Sequence, residues 1–163
     1  MDKLIIKTDR LKLIPCDESI LQGLIDGNLQ KYEIIDGWVT DDTQEALPVF
    51  LSMVKTGESP LGWGMWLMVL KGTNFIIGGN GFIGKPDKNS SVEIGYSIAP
   101  EYRRQGLTLE ACSALVKWAF EHEEVKAVKA KCESSNVASI KLLEKLGMKF
   151  LKSNKKRILE YVL

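Results

Sequence analysis

The sequence predicts an α+β domain: a mixed, mostly antiparallel seven-stranded sheet with about four helices on its two faces. Three observations predict it. Val92–Ile98 alternates large residues at 92, 94, 96 and 98 with Glu93, Gly95 and Ser97, the two-residue period of a strand. Leu109, Cys112, Val116 and Phe120, with Leu115 and Ala119 beside them, recur at helical spacing. Segments of these two kinds follow in the order strand, two helices, three strands, helix, strand, helix, two strands, with turn residues between them.

Each element has its own signal. Thr8-Asp-Arg-Leu-Lys-Leu-Ile14 alternates and stops at Pro15, a first strand. Asp17 is a helix N-cap for Glu18 to about Asp26, whose apolar face is Ile20, Leu21, Leu24 and Ile25. Residues 30–40 carry no readable period. Thr40-Asp-Asp-Thr43 precedes a second helix from Gln44 to Lys55. Gly62–Leu70, Phe75–Ile83 and Val92–Ile98 form an antiparallel meander around turns at Lys71–Asn74 and Pro86–Ser90. Gly79-Asn-Gly81-Phe-Ile-Gly84 has the spacing of a dinucleotide-binding turn. That motif works by opening a helix, and here a strand and the turn Lys85-Pro86-Asp87 follow, so the glycines mark a bend or close strand packing. After the third helix, ending near His122, Val125–Cys132 is a strand and Ala138–Leu146 a helix stopped by Gly147. Met148–Leu151 and Lys156–Leu163 close the sheet.

The 163 residues fit one domain, residues 1–163, and suffice for a real core. Apolar residues are 45% and charged residues 26%, the balance of a globular chain. A net charge of +1 gives no reason to expect nucleic acid or membrane as partner. Lys152, Lys155, Lys156 and Arg157 are a basic cluster at a turn, read as solvated, with a nucleic-acid role as the weak alternative. Cys16, Cys112 and Cys132 are scattered and form no Cys-x-x-Cys, so neither a disulfide framework nor a bound metal is expected, and the setting is cytoplasmic. Met1–Lys7 lacks the apolar run of a secretory leader. Trp38 reads as a core or lid aromatic, with contact to a substrate as the alternative, and Trp63 and Trp66 read as core.

The stretch with chemistry in it is Glu101-Tyr-Arg-Arg-Gln-Gly-Leu-Thr-Leu-Glu-Ala111, which joins the Val92 strand to the third helix. A helix start presents free N–H groups and the positive end of a dipole. Gly106 lets a backbone approach an anion, and Arg103 and Arg104 add charge. The stretch reads as a diphosphate cradle.

Arg103-Arg-Gln-Gly106-Leu-Thr108 resembles the signature of the GCN5-related N-acetyltransferase (GNAT) superfamily, with Thr108 where the signature has Gly or Ala. A second block, Asn136-Val-Ala-Ser139-Ile-Lys-Leu-Leu-Glu-Lys-Leu-Gly147-Met148, resembles the same family, with Met148 in place of an aromatic. Thr8-Asp-Arg-Leu before a proline resembles one branch, the ribosomal-protein N-terminal acetyltransferases. The resemblance implies the GNAT fold, with central strands that splay apart, and acetyl-CoA as donor and coenzyme A as product. Arg103, Arg104, Gln105, Gly106, Leu107 and Thr108 would hold the diphosphate. Backbone amides near Ser97 and Ile98 would meet the pantetheine arm and the thioester carbonyl, with Asn136 and Ser139 also at the cofactor.

The reaction needs a base for the amine, a donor for the thioester oxygen and a proton for the departing thiolate. Many family members place a tyrosine for the last task where this chain has Leu143. Ser139 is the substitute, Asn136 a binder of pantetheine or water, and Glu93 the base if burial raises its pKa, with Tyr96 in reserve. His122, the single histidine, reads as a surface residue among glutamates. The expected activity is acetyl transfer to a primary amine, on a peptide N-terminus or a small molecule, by a monomer or homodimer. The alternative from another class is a non-catalytic acyl-CoA sensor.

Overall fold

The computed structural model describes residues 3–163; Met1 and Asp2, part of the stretch read above for a leader, lie outside the described residues. In chain order the elements are β1 (Ile6–Lys7), β2 (Leu11–Pro15), α1 (Glu18–Asp26), β3 (Glu33–Ile34), α2 (Asp41–Thr56), β4 (Met65–Leu70), β5 (Phe75–Phe82), β6 (Ser91–Ile98), α3 (Leu107–Phe120), β7 (Ala127–Glu133), α4 (Val137–Lys145), β8 (Lys149–Ser153) and β9 (Ile158–Val162). A single 3-10 turn, Pro100–Tyr102, joins β6 to the loop before α3. The sheet order is β1-β2-β4-β5-β6-β7-β9-β8, with β3 parallel to β5. Every other pairing is antiparallel except β6 with β7. The α+β reading and the mostly antiparallel sheet with four helices are therefore correct.

The differences from the sequence reading are local. The sheet has nine strands where seven were expected, because β1 and β3 have two residues each, too short for any period to register. Thr8–Arg10, read as strand, is the turn between β1 and β2: Thr8 N donates to Leu11 O at 2.9 Å, and Leu11 N donates back to the Thr8 hydroxyl at 3.0 Å. Helix α2 starts three residues before Gln44, because Thr40 caps it by accepting from Thr43 N and Asp41 and Asp42 favour the first turn. Asp17 caps α1 as expected, accepting from Ile20 N at 2.9 Å.

The sheet separates two cores. On one face α1 and α2 bury Leu21, Leu24, Leu47 and Leu51 against Ile14, Leu67, Val69, Ile76 and Trp38. On the other, α3 and α4 bury Leu107, Cys112, Leu115, Val116 and Leu143 against Leu11, Leu13, Trp66, Met68, Phe82, Val92 and Ile94. β5 lies in the middle, with β4, β6 and β3 as partners. Its run Gly78-Gly79-Asn80-Gly81 is strand backbone, so the glycine spacing serves packing and not a helix start. A Cβ on Gly81 would come within 2.2 Å of Gly64 O, whereas one on Gly95 would meet nothing within 4 Å.

That contrast yields a stability test. Gly81→Ala should cost about 1–3 kcal/mol by forcing the β4 backbone away, while Gly95→Ala should be neutral or slightly stabilising. Urea denaturation of the two variants checks this, and equal losses would show that the close approach of β4 to β5 is not a constraint.

Candidate active site

The site begins where two strands part. β6 and β7 pair in parallel only at Ser91 with Ala127, Val92 with Val128 and Glu93 with Lys129. Beyond Glu93 neither strand frays. β6 stays paired with β5 up to Ile98, and β7 stays paired with β9 up to Glu133. The gap is thus between strands that are each held from outside.

The direction of the backbone in β6 decides what faces this gap. Ile83 N donates to Glu93 O at 3.1 Å, and Ala99 N donates to Ile77 O at 2.8 Å, so the odd residues 93 to 99 turn their peptide groups to β5. The even residues Tyr96 and Ile98 turn theirs to the gap. The sequence reading named Ser97 and Ile98. Ile98 is placed as expected, but the Ser97 amide looks to β5 and Tyr96 takes its place. The Ser97 hydroxyl instead accepts from Trp38 Nε1 at 3.0 Å on the α1/α2 side. Trp38 is a buried core aromatic that also shelters Gly79.

At the mouth of the gap lies the loop into α3. Arg104 has φ +62° and Gly106 φ +75°, and Gly106 is the N-cap of α3 with no side-chain cap bond. The amides of Leu107, Thr108 and Leu109 open the helix without intrahelical acceptors. Leu107 is buried and anchors the turn, Thr108 is half-buried, and Arg103, Arg104, Gln105 and Gly106 are exposed. A Cβ built on Gly106 would meet only Arg10 Nη2, at 3.5 Å. Free donors, an open approach and two arginines fit a diphosphate.

The sequence reading did not include the residues that brace this loop. Glu110, in the first turn of α3, accepts from the Thr8 hydroxyl at 2.6 Å, from Arg10 N at 2.9 Å and from Arg10 Nε at 2.9 Å. Arg10 Nη1 donates to Gln105 O at 2.9 Å. No local period signals such a contact between positions 100 residues apart; the Thr-Asp-Arg-Leu resemblance was its one trace.

The remaining site residues divide between the two faces. On the α3/α4 face, Asn136 is the N-cap of α4, accepting from Ser139 N at 3.1 Å. Its side-chain carbonyl thereby holds the helix start and Ser139 in place. The Tyr96 hydroxyl is buried beside Ser139 without closing a good hydrogen bond to it. Burial outweighs the opposing pull of the neighbouring Ser139 and leaves that hydroxyl raised to about 12, so it is protonated at neutral pH. Asn80, opposite Tyr96 on β5, has both amide atoms buried and unpartnered. Leu143 is fully buried.

On the α1/α2 face, Glu93 is half-buried and pairs with Lys131 Nζ at 3.3 Å, so the burial expected of it is replaced by an ion pair. Lys131 also reaches Glu160 at 3.7 Å, and Lys152 reaches Glu160 at 3.5 Å. Glu93 first, and Glu160 with it, holds the Lys131 amine above its ordinary range. Gly95, between Glu93 and Ser97, is exposed and uncovered. His122 is not the surface residue its glutamate neighbours suggested. Its ring packs edge-on to Trp118 at 4.4 Å and Trp63 at 4.9 Å, away from these residues. The three cysteines are buried and unbridged, and burial raises each thiol above its ordinary value. Among the described residues no group of His, Cys, Asp and Glu could hold a metal ion, and no helix is long and apolar enough to cross a membrane.

A helix start with free donors stands at the mouth of a gap lined by free amides, an arrangement compatible with a transferase. Residues 10–149 match the acetyltransferase (GNAT) domain family, and the chain belongs to that family: it is an acetyltransferase whose acceptor is an amine. It is 35% identical over 148 residues to the uncharacterized N-acetyltransferase YjdG of Bacillus subtilis, covering 88% of each chain. Among solved structures it resembles the ribosomal-protein alpha-N-acetyltransferase RimL in complex with coenzyme A, at a TM-score of 0.72, 19% identity and coverage of 98% and 97%. It also resembles a GNAT-family acetyltransferase from Bacillus anthracis, at a TM-score of 0.67, 23% identity and 98% coverage of both chains.

The brace on the loop is sensitive to acid. Burial pushes the Glu110 carboxyl up, but the Thr8 hydroxyl and the Arg10 amide and guanidinium outweigh it, and the group titrates below the usual glutamate range. A carboxyl depressed by folding contributes stability above its unfolded value, about 4.3, and loses it as pH falls through the lower folded value. The stability gap between the parent and Glu110→Gln should therefore shrink as pH drops below about 4.3. Urea denaturation at a series of pH values measures it, and a constant gap would mean that the charge on Glu110 contributes nothing.

Proposed function

We propose that the protein moves the acetyl group of acetyl-CoA to a primary amine by direct attack, with donor and acceptor held together in one ternary complex. The observation that supports this is the gap between β6 and β7, which opens to the diphosphate loop and the α3/α4 face on one side and to Glu93 and Gly95 on the other. Two substrates can then approach one reacting centre from opposite faces, and proximity supplies much of the rate.

The chain's residues have the following roles in this reading. Main-chain donors from Gly106 to Thr108, with charge from Arg103 and Arg104 and the loop geometry of Gln105, hold the diphosphate. The free amides of Tyr96 and Ile98 receive the pantetheine arm and the thioester oxygen, where an N–H donor stabilises developing negative charge. Ser139, held by the Asn136 cap, donates to the departing thiolate, with the Tyr96 hydroxyl beside it as a second proton-bearing group. Glu93 takes the ammonium proton, directly or through water. An incoming ammonium displaces Lys131 from Glu93, and Lys131 keeps Glu160 as its counterion. Gly95 leaves the floor open for the acceptor, and coenzyme A is released as product.

RimL carries a ribosomal-protein N-terminus in its name, and the Thr8-Asp-Arg-Leu turn resembles that branch. A peptide N-terminus is therefore the first acceptor class to test, followed by small amines. Thiol release from acetyl-CoA should be measured with peptides beginning with Ala or Ser, with spermidine and with free amino acids. Turnover with at least one of them, by sequential kinetics with intersecting double-reciprocal plots, is expected. Tight acetyl-CoA binding without turnover on any amine would turn the reading into a sensor, and parallel plots would replace the ternary complex with an acyl-enzyme.

Glu93→Gln should lower kcat/KM at neutral pH by about 10²–10⁴-fold. The deficit should narrow as the pH approaches the acceptor amine's own pKa, where a base is no longer needed. A deficit independent of pH would remove Glu93 as the proton acceptor.

A further inference from the structure

Resting on that acetyl-transfer reading, we propose that Arg10, held by Glu110, is a latch that keeps the Gln105 carbonyl out of the diphosphate cradle and so turns the Gly106 amide into it. In the loop from Arg103 to Gly106, Arg103 N donates to Pro100 O at 3.2 Å and Gln105 Nε2 to Glu101 O at 3.1 Å, but the Gln105–Gly106 peptide is tied only through its carbonyl to Arg10, and Arg104 and Gly106 stand at positive φ. Such a loop can rotate a peptide plane at low cost. A carbonyl oxygen turned into the cradle would repel a diphosphate, whereas an N–H would bind it.

The Gln105–Gly106 peptide is trans, so its C=O and N–H point in opposite directions. Arg10 Nη1 binds the carbonyl at 2.9 Å from the β1–β2 side, which turns the amide of Gly106 away from Arg10. The guanidinium is itself fixed. Its Nε donates to Glu110 Oε1, the Arg10 amide and the Thr8 hydroxyl both donate to Glu110 Oε2, and Arg10 O accepts from Lys71 N at 2.9 Å. Glu110 sits one turn into α3, with its N donating to Gly106 O at 3.0 Å, so the carboxylate that holds Arg10 belongs to the helix whose start it shapes. A guanidinium can serve Nε and Nη1 at once to two different acceptors; a lysine amine lacks that fork. Arg10 and Glu110 are thus positioning residues for the donor, remote from the acceptor face.

The test compares a donor with a diphosphate and one without. Coenzyme A affinity is measured by calorimetry, and turnover is measured with both acetyl-CoA and S-acetylpantetheine, for the parent, Arg10→Ala, Arg10→Lys, Glu110→Ala and the Arg10→Ala/Glu110→Ala double variant. The latch requires a loss of coenzyme A affinity of tenfold or more in every variant. It also requires the double variant to be no worse than the singles, and acetylpantetheine turnover to stay within twofold of the parent. Parental affinity in Arg10→Lys would show that charge alone suffices and would overturn the latch. Equal loss with both donors would assign the contacts to general folding and would also overturn it. Failure of the parent to bind coenzyme A would overturn the acetyl-transfer reading itself, and the latch with it.

Discussion

β6 and β7 share three residue pairs and then separate, although both are securely paired on their other sides. A sheet normally closes such a gap, because a buried amide without a partner costs about 1–3 kcal/mol. Here the amides of Tyr96 and Ile98 have β5 behind them and no strand in front. Only solvent or a ligand with its own hydrogen-bonding groups can satisfy them, and an arm built of amides and a thioester matches the pattern. The rest of the molecule sets the width and entrance of this opening. α3 starts at one end, α4 lies over one face, and the connection carrying Trp38 lies over the other.

The two faces have different chemistry. Toward α3 and α4 the neighbours are apolar, with Tyr96, Ser139 and Asn80 as the few polar groups, and burial favours the neutral form of the Tyr96 hydroxyl. Toward the opposite face a row of charges, Glu93, Lys131, Glu160 and Lys152, crosses β6, β7, β9 and β8. Half-exposed pairs of this kind are worth only about 0–1 kcal/mol each. The row therefore adds little to stability, and its partners can be exchanged at little cost.

Much of this was legible in the sequence because it is local. The alternation in Val92–Ile98, the Arg103–Thr108 turn and the helix read from Ala138 to Leu146 each lie within a dozen residues, and the structure places them as strand, loop and helix in the expected order. What escaped depends on contacts distant in sequence or on strand parity. Thr8 and Arg10 look like the start of an alternating strand, and only the fold reveals that they reach Glu110. Ser97 and Tyr96 differ by one position, yet opposite sides of the ladder claim their amides, and that depends on how β5 pairs. His122 looked exposed because its sequence neighbours are glutamates; its spatial neighbours are Trp63 and Trp118. Glu93 was expected to be perturbed by burial, and the structure gives it a lysine instead, a partner set by the register of β7.

Leu143 bears on which polar groups the α4 side presents to the gap. It is fully buried and apolar, so at this position α4 offers no hydroxyl toward the gap. Two hydroxyls nevertheless meet there, Ser139 from the first turn of the same helix and Tyr96 from the facing strand. The strand hydroxyl is buried, lacks a hydrogen-bond partner and is held in its protonated form, a costly arrangement in a purely structural residue. Asn80 extends the same run of unsatisfied polar groups onto β5. A core that merely needed filling would favour phenylalanine at 96 and an apolar residue at 80. Keeping both polar places hydrogen-bonding capacity beside the opened strand, where Leu143 supplies none.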